Sequence, residues 1–352
     1  MSTPHITVVD SIDDIKTAEW EQVTAATGAP VHYSPTYLRA YQTSPLSPFT
    51  AAHYMTASDT GQTVAVLPCY LQEQGDPYGF LRAAGCPQGD GPTLLGHNWY
   101  CYDTQIPVRA DNPDQHDQTV EAMLDALVEL GAAEGARTTA LVSVAEGDPV
   151  LTIARRKGWK VAPIVTRFQL PLQGAGPDAS YDSYDSYDSY LESLGSRTRR
   201  TIRQYMRRAA DAGITTAVEV PQPDFLRTVC DLTRRTAAKY GSADMYPESA
   251  FIDFVMALGD YARVVRIDQG DQTLAAAVVL LDDERLHMWV GGTSHATVDS
   301  FSPNYLLWAA EIRTAIERGK RWVEGGRSNQ PMKLRHGMRP LPLYACVAPP
   351  NV

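Results

Sequence analysis

The sequence predicts an α/β (α+β) chain of two domains, each built on a mixed, largely antiparallel sheet. Three observations carry that expectation. The chain has 352 residues, long for a single core. Segments with a helical apolar stripe alternate with short strand-like runs. One stretch, residues 173–190, has neither period. The expected division is an N-terminal domain over 1–172, a low-complexity linker over 173–190 and a C-terminal domain over 191–352.

Residues 14–28 predict a short helix with Trp20 and Val23 facing the core. Ser34 caps the next helix, with Pro35 at its first position. Tyr33, Tyr37 and Tyr41 then share one face, a stripe that reads as core. Residues 49–55 and 63–72 read as strands joined by the turn Ser58-Asp59-Thr60-Gly61. Residues 73–96 are dense in Gly and Pro and read as a surface loop bordering a cleft; Gly85 to Gly91 match no phosphate-loop pattern. A helix over 114–135, a strand over 138–144, a helix over 148–158 capped by Asp148, and a strand over 160–172 close the first half.

The linker carries a Tyr-Asp-Ser repeat from Ser180 to Tyr190. A three-residue period suits neither a strand nor a helix stripe, so the repeat reads as a tether. The second half follows the first in outline. A strand over 214–220 leads to helices over 225–240 and 248–258. Runs over 262–268, 273–281 and 285–292 form an antiparallel meander with tight turns. A long helix over 303–319 turns Leu306, Leu307, Ala310 and Ile316 inward, and strands over 321–324 and 343–347 finish the chain.

Residues 189–213 stand apart in charge. Ser189 and Glu192 have the capping-box spacing, and Gly213 stands where a left-handed C-terminal residue is expected. Leu191, Leu194, Thr198, Ile202 and Ala209 make an apolar stripe. Arg197, Arg199, Arg200, Arg203, Arg207 and Arg208 fill much of the rest. Such a face is either solvated and paired to nearby acids or built for an anion. Arg in place of Lys favours the anion, because the planar guanidinium grips phosphate with two parallel bonds.

The formal net charge is −10, which excludes general attraction to DNA or to an anionic membrane. A polyanion must therefore meet a local patch, and the arginine helix is that patch. The five cysteines are scattered without a CxxC, which argues for free thiols and against a zinc site. No metal or other cofactor is expected. The N-terminal residues lack the basic and apolar blocks of a signal peptide, and no apolar run reaches membrane-spanning length. These features predict a cytoplasmic protein.

Two motifs carry a family resemblance. Leu194-Gly195-Ser196-Arg197-Thr198-Arg199-Arg200-Thr201-Ile202-Arg203 resembles the Gly-Ser-Lys/Arg-x-Arg-Arg-x-Leu/Ile-Arg helix of GNAT-like peptidoglycan or cellulose biosynthesis acyltransferases, relatives of the FemABX aminoacyltransferases. Glu324-Gly325-Gly326-Arg327 with Met332-Lys333-Leu334-Arg335-His336-Gly337 is similar to the family's Gly-rich strand end and Lys-x-Arg-x-Gly motif. The resemblance covers roughly residues 190–340. It implies tandem GNAT-like acyltransferase domains. It also implies transfer of an amino acid from aminoacyl-tRNA to an amine, forming an amide. By the same resemblance Lys333 sits near the acyl carbonyl. Arg197, Arg199, Arg200, Arg203, Arg207, Arg327 and Arg335 contact donor phosphate, and Gly325 and Gly326 border the substrate. The family's first domain often has a Trp and a downstream Lys on the acceptor's phosphates. Here that segment reads Tyr37-Leu38-Arg39-Ala40-Tyr41, which points to a small-molecule amine acceptor and adds Tyr37 to the expected pocket.

Aminolysis of an ester needs a neutral amine held against the carbonyl and a stabilised oxyanion. A tRNA ester is already activated, and the sequence has no Gly-x-Ser-x-Gly. Lys333 is the expected source of positive charge at the oxyanion. Trp289, Tyr205, Tyr305 and Trp308 are expected to wall the pocket, with His287 and His336 as candidate bases. The expected function is aminoacyl-tRNA-dependent amide formation in natural-product or cell-wall biosynthesis. Two alternatives are an acyl-CoA-dependent N-acyltransferase and a non-catalytic, polyanion-binding relic. The CoA reading needs a Gly-rich phosphate loop before a helix, whereas Asp299-Ser300-Phe301-Ser302-Pro303-Asn304 has no glycine.

Overall fold

One order of elements occurs twice along the chain. The structure, a computed structural model, describes residues 4–73, 76–86, 91–173, 183–238, 246–294 and 300–350. The first pass begins with β1 (His5–Val9), α1 (Thr17–Thr27), α2 (Pro35–Thr43), β2 (Ala51–Asp59) and β3 (Gln62–Gln72). A short inserted helix α3 (Phe80–Ala83) follows, then β4 (Thr93–Gly96), α4 (Pro113–Ala133), β5 (Thr138–Ala145), α5 (Pro149–Arg156) and β6 (Lys160–Pro171). Helices α6 (Tyr187–Ser193) and α7 (Ser196–Asp211) come between the passes. The second pass runs β7 (Ile214–Glu219), α8 (Pro223–Ala238), α9 (Glu248–Ala257), β8 (Ala262–Gln269), β9 (Gln272–Leu281) and β10 (Arg285–Thr293). It ends with α10 (Pro303–Glu317), β11 (Trp322–Glu324), α11 (Gln330–Arg335) and β12 (Arg339–Val347).

The chain divides into two compact units, residues 1–166 with 341–352 and residues 167–340. In the first unit the strand order is β1-β2-β3-β4-β5-β12. The β4–β5 pair is parallel and the other named pairs are antiparallel. In the second unit the order is β7-β8-β9-β10-β11-β6, with β10–β11 parallel and the rest antiparallel. Each sheet takes its sixth strand from the other pass of the sequence. The architecture is mixed α/β with largely antiparallel sheets, as composition and periodicity predict. No described helix is long and apolar enough to cross a membrane.

Local signals explain most helix starts. The Ser34 side chain accepts from Tyr37 N and caps α2, and the Asp148 side chain accepts from Val150 N and caps α5. Asn112 caps α4 by accepting from Gln115 N, with Pro113 at the first position. The expected helix over 189–213 is two helices, α6 and α7, separated at Leu194 and Gly195, whose ψ angles are 152° and 139°. Ser189 is therefore not the start of the arginine helix; it completes a capping box with Ser186 at the start of α6.

The Tyr-Asp-Ser repeat also needs correction where it is described. Residues 174–182 lie outside the described residues, but Tyr187 and Tyr190 are buried in the second unit's core and Tyr184 packs against it. Tyr187 and Tyr190 lie in α6, and a three-residue step falls about 60° short of a full helical turn, so the two stay near one face; Tyr184 precedes the helix.

Each unit has its own core. In the first, Val120, Met123, Leu124 and Leu127 of α4 join Leu67, Leu94 and Leu141 of the sheet. In the second, Leu307, Trp308, Ile312 and Ala315 of α10 join Val265, Ala275 and Val279. Glycine sets how closely β10 meets α8. A Cβ on Gly292 would lie 2.2 Å from the Leu232 carbonyl oxygen, and backbone atoms cannot yield as a flexible side chain can. Gly292→Ala should therefore destabilise the protein by about 1–3 kcal/mol, the usual cost of overpacking. Urea unfolding checks this; an unchanged midpoint would show that β10 does not need the close approach.

Candidate active site

The site forms where two parallel strands of the second unit part. β10 and β11 pair only over Arg285–His287 with Trp322–Glu324. Past that point β11 ends, and the register of β10 with β9 shifts between Met288 and Val290. Such irregularities redirect side chains at the rims of sheets. A cavity of about 640 Å³ opens there, lined among others by Met288, Trp289, Thr233, Glu311, Gly325 and Lys333. That is the size range of small-ligand pockets.

Buried polar contacts hold the end of β11. Glu324 accepts from Gln169 Nε2 at 2.6 Å and forms ion pairs with Arg167 at 3.5 Å and Arg285 at 4.0 Å. The Gly325 amide donates to Phe168 O at 2.7 Å, and the Phe168 amide donates to Gly326 O at 3.0 Å. A Cβ on Gly325 would lie 2.5 Å from Met338 Sδ, so that side chain would have to shift; Gly326, at φ +69°, needs glycine's backbone freedom. The chain then turns through Asn329, also left-handed at φ 59°, into α11. Asn304 and Asn329 each donate to Met332 Sδ at 3.3 Å.

These contacts turn Met332 and Lys333 inward while Leu334 and Arg335 face solvent. Lys333 is 1% exposed, and its Nζ has no hydrogen-bond partner among the described residues. Its Nζ lies 5.2 Å from the centre of the Phe168 ring. Burial, with a smaller contribution from the Arg327 charge, pulls its amine down to about 7. Glu311 of α10, 2% exposed, lines the same cavity. Burial alone raises its carboxyl to about 8, so it is mostly protonated at neutral pH. Trp289 Nε1 and Thr233 Oγ1 are likewise buried without partners. Sequence reasoning missed Glu311. The available signal was an acid three residues after Trp308 and four after Leu307, on the stripe assigned to the core.

The cavity gathers Lys333, Trp289, Trp308 and Gly325, and Gly326 adjoins it, its Cβ position 4.0 Å from Lys333 Nζ. Tyr205 and Tyr305 meet edge to face at 5.3 Å and pack against the core, outside the residues that line the cavity. Tyr37 lies in the first unit, fully buried against the rings of His32 and Tyr41. His287 meets Asp282 at 3.0 Å. His336 donates through Nδ1 to Met332 O at 2.8 Å, and its ring packs on Tyr305 and Trp308. The arginines divide. Arg199 and Arg203 pair with Glu192 at 3.1 and 2.6 Å, while Arg197, Arg200 and Arg207 are exposed without an ion pair among the described residues. Arg335 is exposed and donates to Pro331 O, and Arg327 is half-buried. No group of three or more His, Cys, Asp or Glu among the described residues is placed to hold a metal.

Lys333 should make stability depend on pH. Its folded-state value, about 7, lies below the unfolded 10.5, so between these values the unfolded chain binds more protons. Burying the lysine therefore costs most below pH 7, and the cost fades as pH rises toward 10.5. Lys333→Met should stabilise the fold at pH 6 by an amount on the order of a few kcal/mol. Denaturant unfolding of both proteins at pH 6 to 10 should show that gain shrinking; a gain constant with pH would mean that the buried amine is not the cause.

Comparison with known proteins bears on this geometry. Residues 196–334 match the family described as acetyltransferase (GNAT) domain. No curated protein sequence matches the chain. The crystal structure of FemX is similar in fold, with TM-score 0.66 and 13% identity over 96% of this chain and 96% of that one. A tandem GNAT protein from the clavulanic acid biosynthesis pathway gives 0.54 at 14% identity, over 99% of this chain and 100% of the other. The C-terminal domain of a putative lysylphosphatidylglycerol synthetase from Agrobacterium fabrum gives 0.56 at 12% identity, over 94% and 92%. With a lysine-bearing cavity inside the matched residues, the chain carries a GNAT-type domain and is an acyltransferase of the GNAT fold.

Proposed function

We propose that this acyltransferase moves an aminoacyl group from aminoacyl-tRNA to the amine of a small acceptor, in a natural-product or cell-wall pathway. The observation that carries the reading is Lys333, a buried amine without a partner, facing a cavity where two strands part. The exposed face of α7, where Arg197, Arg200 and Arg207 have no ion pair among the described residues, supports a phosphate-rich donor on a chain of net charge −10.

In this reading the acceptor's nitrogen lone pair attacks the ester carbonyl. The C–N bond forms, and the carbonyl π electrons move onto oxygen. Lys333, itself 1% exposed, stabilises that oxyanion when protonated. The intermediate collapses by breaking the bond to the ribose oxygen, which leaves with the proton that the amine gives up. Binding of the carbonyl by Lys333 is stronger as charge develops, so the residue acts on turnover more than on affinity.

An acyl-CoA donor is the second reading, favoured by the acetyltransferase description of the family matched by residues 196–334. The sequence argument against it, the glycine-free segment from Asp299 to Asn304, begins outside the described residues at Asp299. One experiment separates the two. The protein is incubated with a panel of small primary amines and either charged total tRNA, with and without ribonuclease, or acetyl-CoA, and products are read by mass. Amides formed only with intact charged tRNA support the proposal; acetylated amines alone overturn it.

Two variants test the assigned roles. Lys333→Ala should lower turnover about 100- to 1000-fold with only a small change in donor affinity, and Lys333→Arg should restore little. Near-normal turnover with a raised substrate requirement would make Lys333 a binding contact. Arg200→Ala and Arg207→Ala should each weaken tRNA binding and reduce its salt slope by about one. Unchanged affinity and slope would leave α7 a solvated face.

A further inference from the structure

We infer that Glu311 docks a protonated amine carried by the acyl group being transferred. The inference rests on the acyl-transfer reading above and assigns a residue to selection of the acyl group.

Glu311, a residue 2% exposed, sits on α10 in the wall of the cavity. Burial is the one cause that raises its carboxyl, with no hydrogen-bond or charge partner among the described residues acting on it. Buried polar groups in folded proteins are overwhelmingly paired, so the partnerless Lys333 Nζ, Trp289 Nε1 and Thr233 Oγ1 beside Glu311 in one cavity call for a ligand. Lys333 faces the same cavity and also lacks a partner, yet no ion pair joins the two. The cavity thus offers donors at Lys333, Trp289 and Thr233 and a carboxyl at Glu311.

A ligand that satisfies both needs an acceptor atom and a cationic donor on one small skeleton. An aminoacyl group has them: a carbonyl oxygen for Lys333 or Trp289 and an ammonium for Glu311. A plain acyl group has the carbonyl alone and would leave the buried carboxyl unpaired, the more costly outcome. The protonated state of the empty site fits this role. With its carboxyl raised to about 8, Glu311 is not a buried anion before the ligand arrives. On arrival of an ammonium the carboxyl ionises, its proton passes to solvent, and the pair is charge-balanced.

The test uses carrier-free probes, so that its result does not depend on whether tRNA or CoA delivers the group. The probes are the methylamides of the amino acids and their deamino counterparts, which keep the carbonyl and side chain but lack the ammonium. Binding to wild type and Glu311→Gln is measured by saturation-transfer NMR with competition. At least one amino-acid methylamide should bind about 30-fold or more tightly than its deamino counterpart, the usual effect of removing one side of a buried charge pair. Glu311→Gln should reduce that preference to within about threefold while melting like wild type, because it replaces a group already neutral in the empty site. Absence of methylamide binding, equal binding of both series, or a preference that survives in Glu311→Gln overturns the inference. A variant that keeps the preference but loses transfer from every donor would make Glu311 a base for the acceptor, and would also overturn it. The tRNA reading stands or falls separately, on the ribonuclease comparison.

Discussion

Two ionisable groups of opposite type share a cavity without meeting, and much of the second unit's local structure bears on keeping them there. Burial works in opposite directions on the two: it lowers the Lys333 amine to about 7 and raises the Glu311 carboxyl to about 8. Each is therefore near its neutral form at physiological pH, which limits the cost of leaving both unpaired. The arrangement costs stability in the empty protein and reserves two directed interactions for a ligand. Perturbed groups of this kind gather at functional sites for that reason.

The frame that holds them is mostly backbone. β10 and β11 pair for three residues, then separate, and the two glycines after Glu324 are clamped by the amide and carbonyl of Phe168. Glu324 anchors this turn through Gln169, Arg167 and Arg285. Gly292 permits a backbone approach that a methyl group would block. The cavity wall is thus set by hydrogen bonds and close packing rather than by long surface side chains, which suits a site that must keep its geometry when empty.

Much of this was legible in the sequence. Strong periodicity located α4 and α10, and the turn Ser58 to Gly61 located the β2–β3 hairpin. The motif around Lys333 pointed to a residue that does line the cavity. Other features were hidden for physical reasons. β4 has four residues inside a Gly- and Pro-rich stretch, and α11 has six, too few for a period to register. The last repeats of the tyrosine tract looked like a tether because the helix they form is seven residues long and its stripe drifts. The exchange of β6 and β12 between sheets depends on long-range pairing, which no local pattern records. Glu311 was passed over because an acid in an apolar stripe reads as a tolerated exception until a cavity is seen beside it.

The central claim is that Glu311 is a buried, protonated acid in the empty protein. The most direct measurement is the ¹³C NMR titration of its side-chain carboxyl in selectively labelled protein, assigned by comparison with Glu311→Gln. The account predicts a midpoint near 8, far above the ordinary 4.5 of a glutamate, with the carboxyl protonated at pH 7. A midpoint between 4 and 5, with a carboxylate already present at pH 6, would mean that the group is solvated or paired, and would contradict the account.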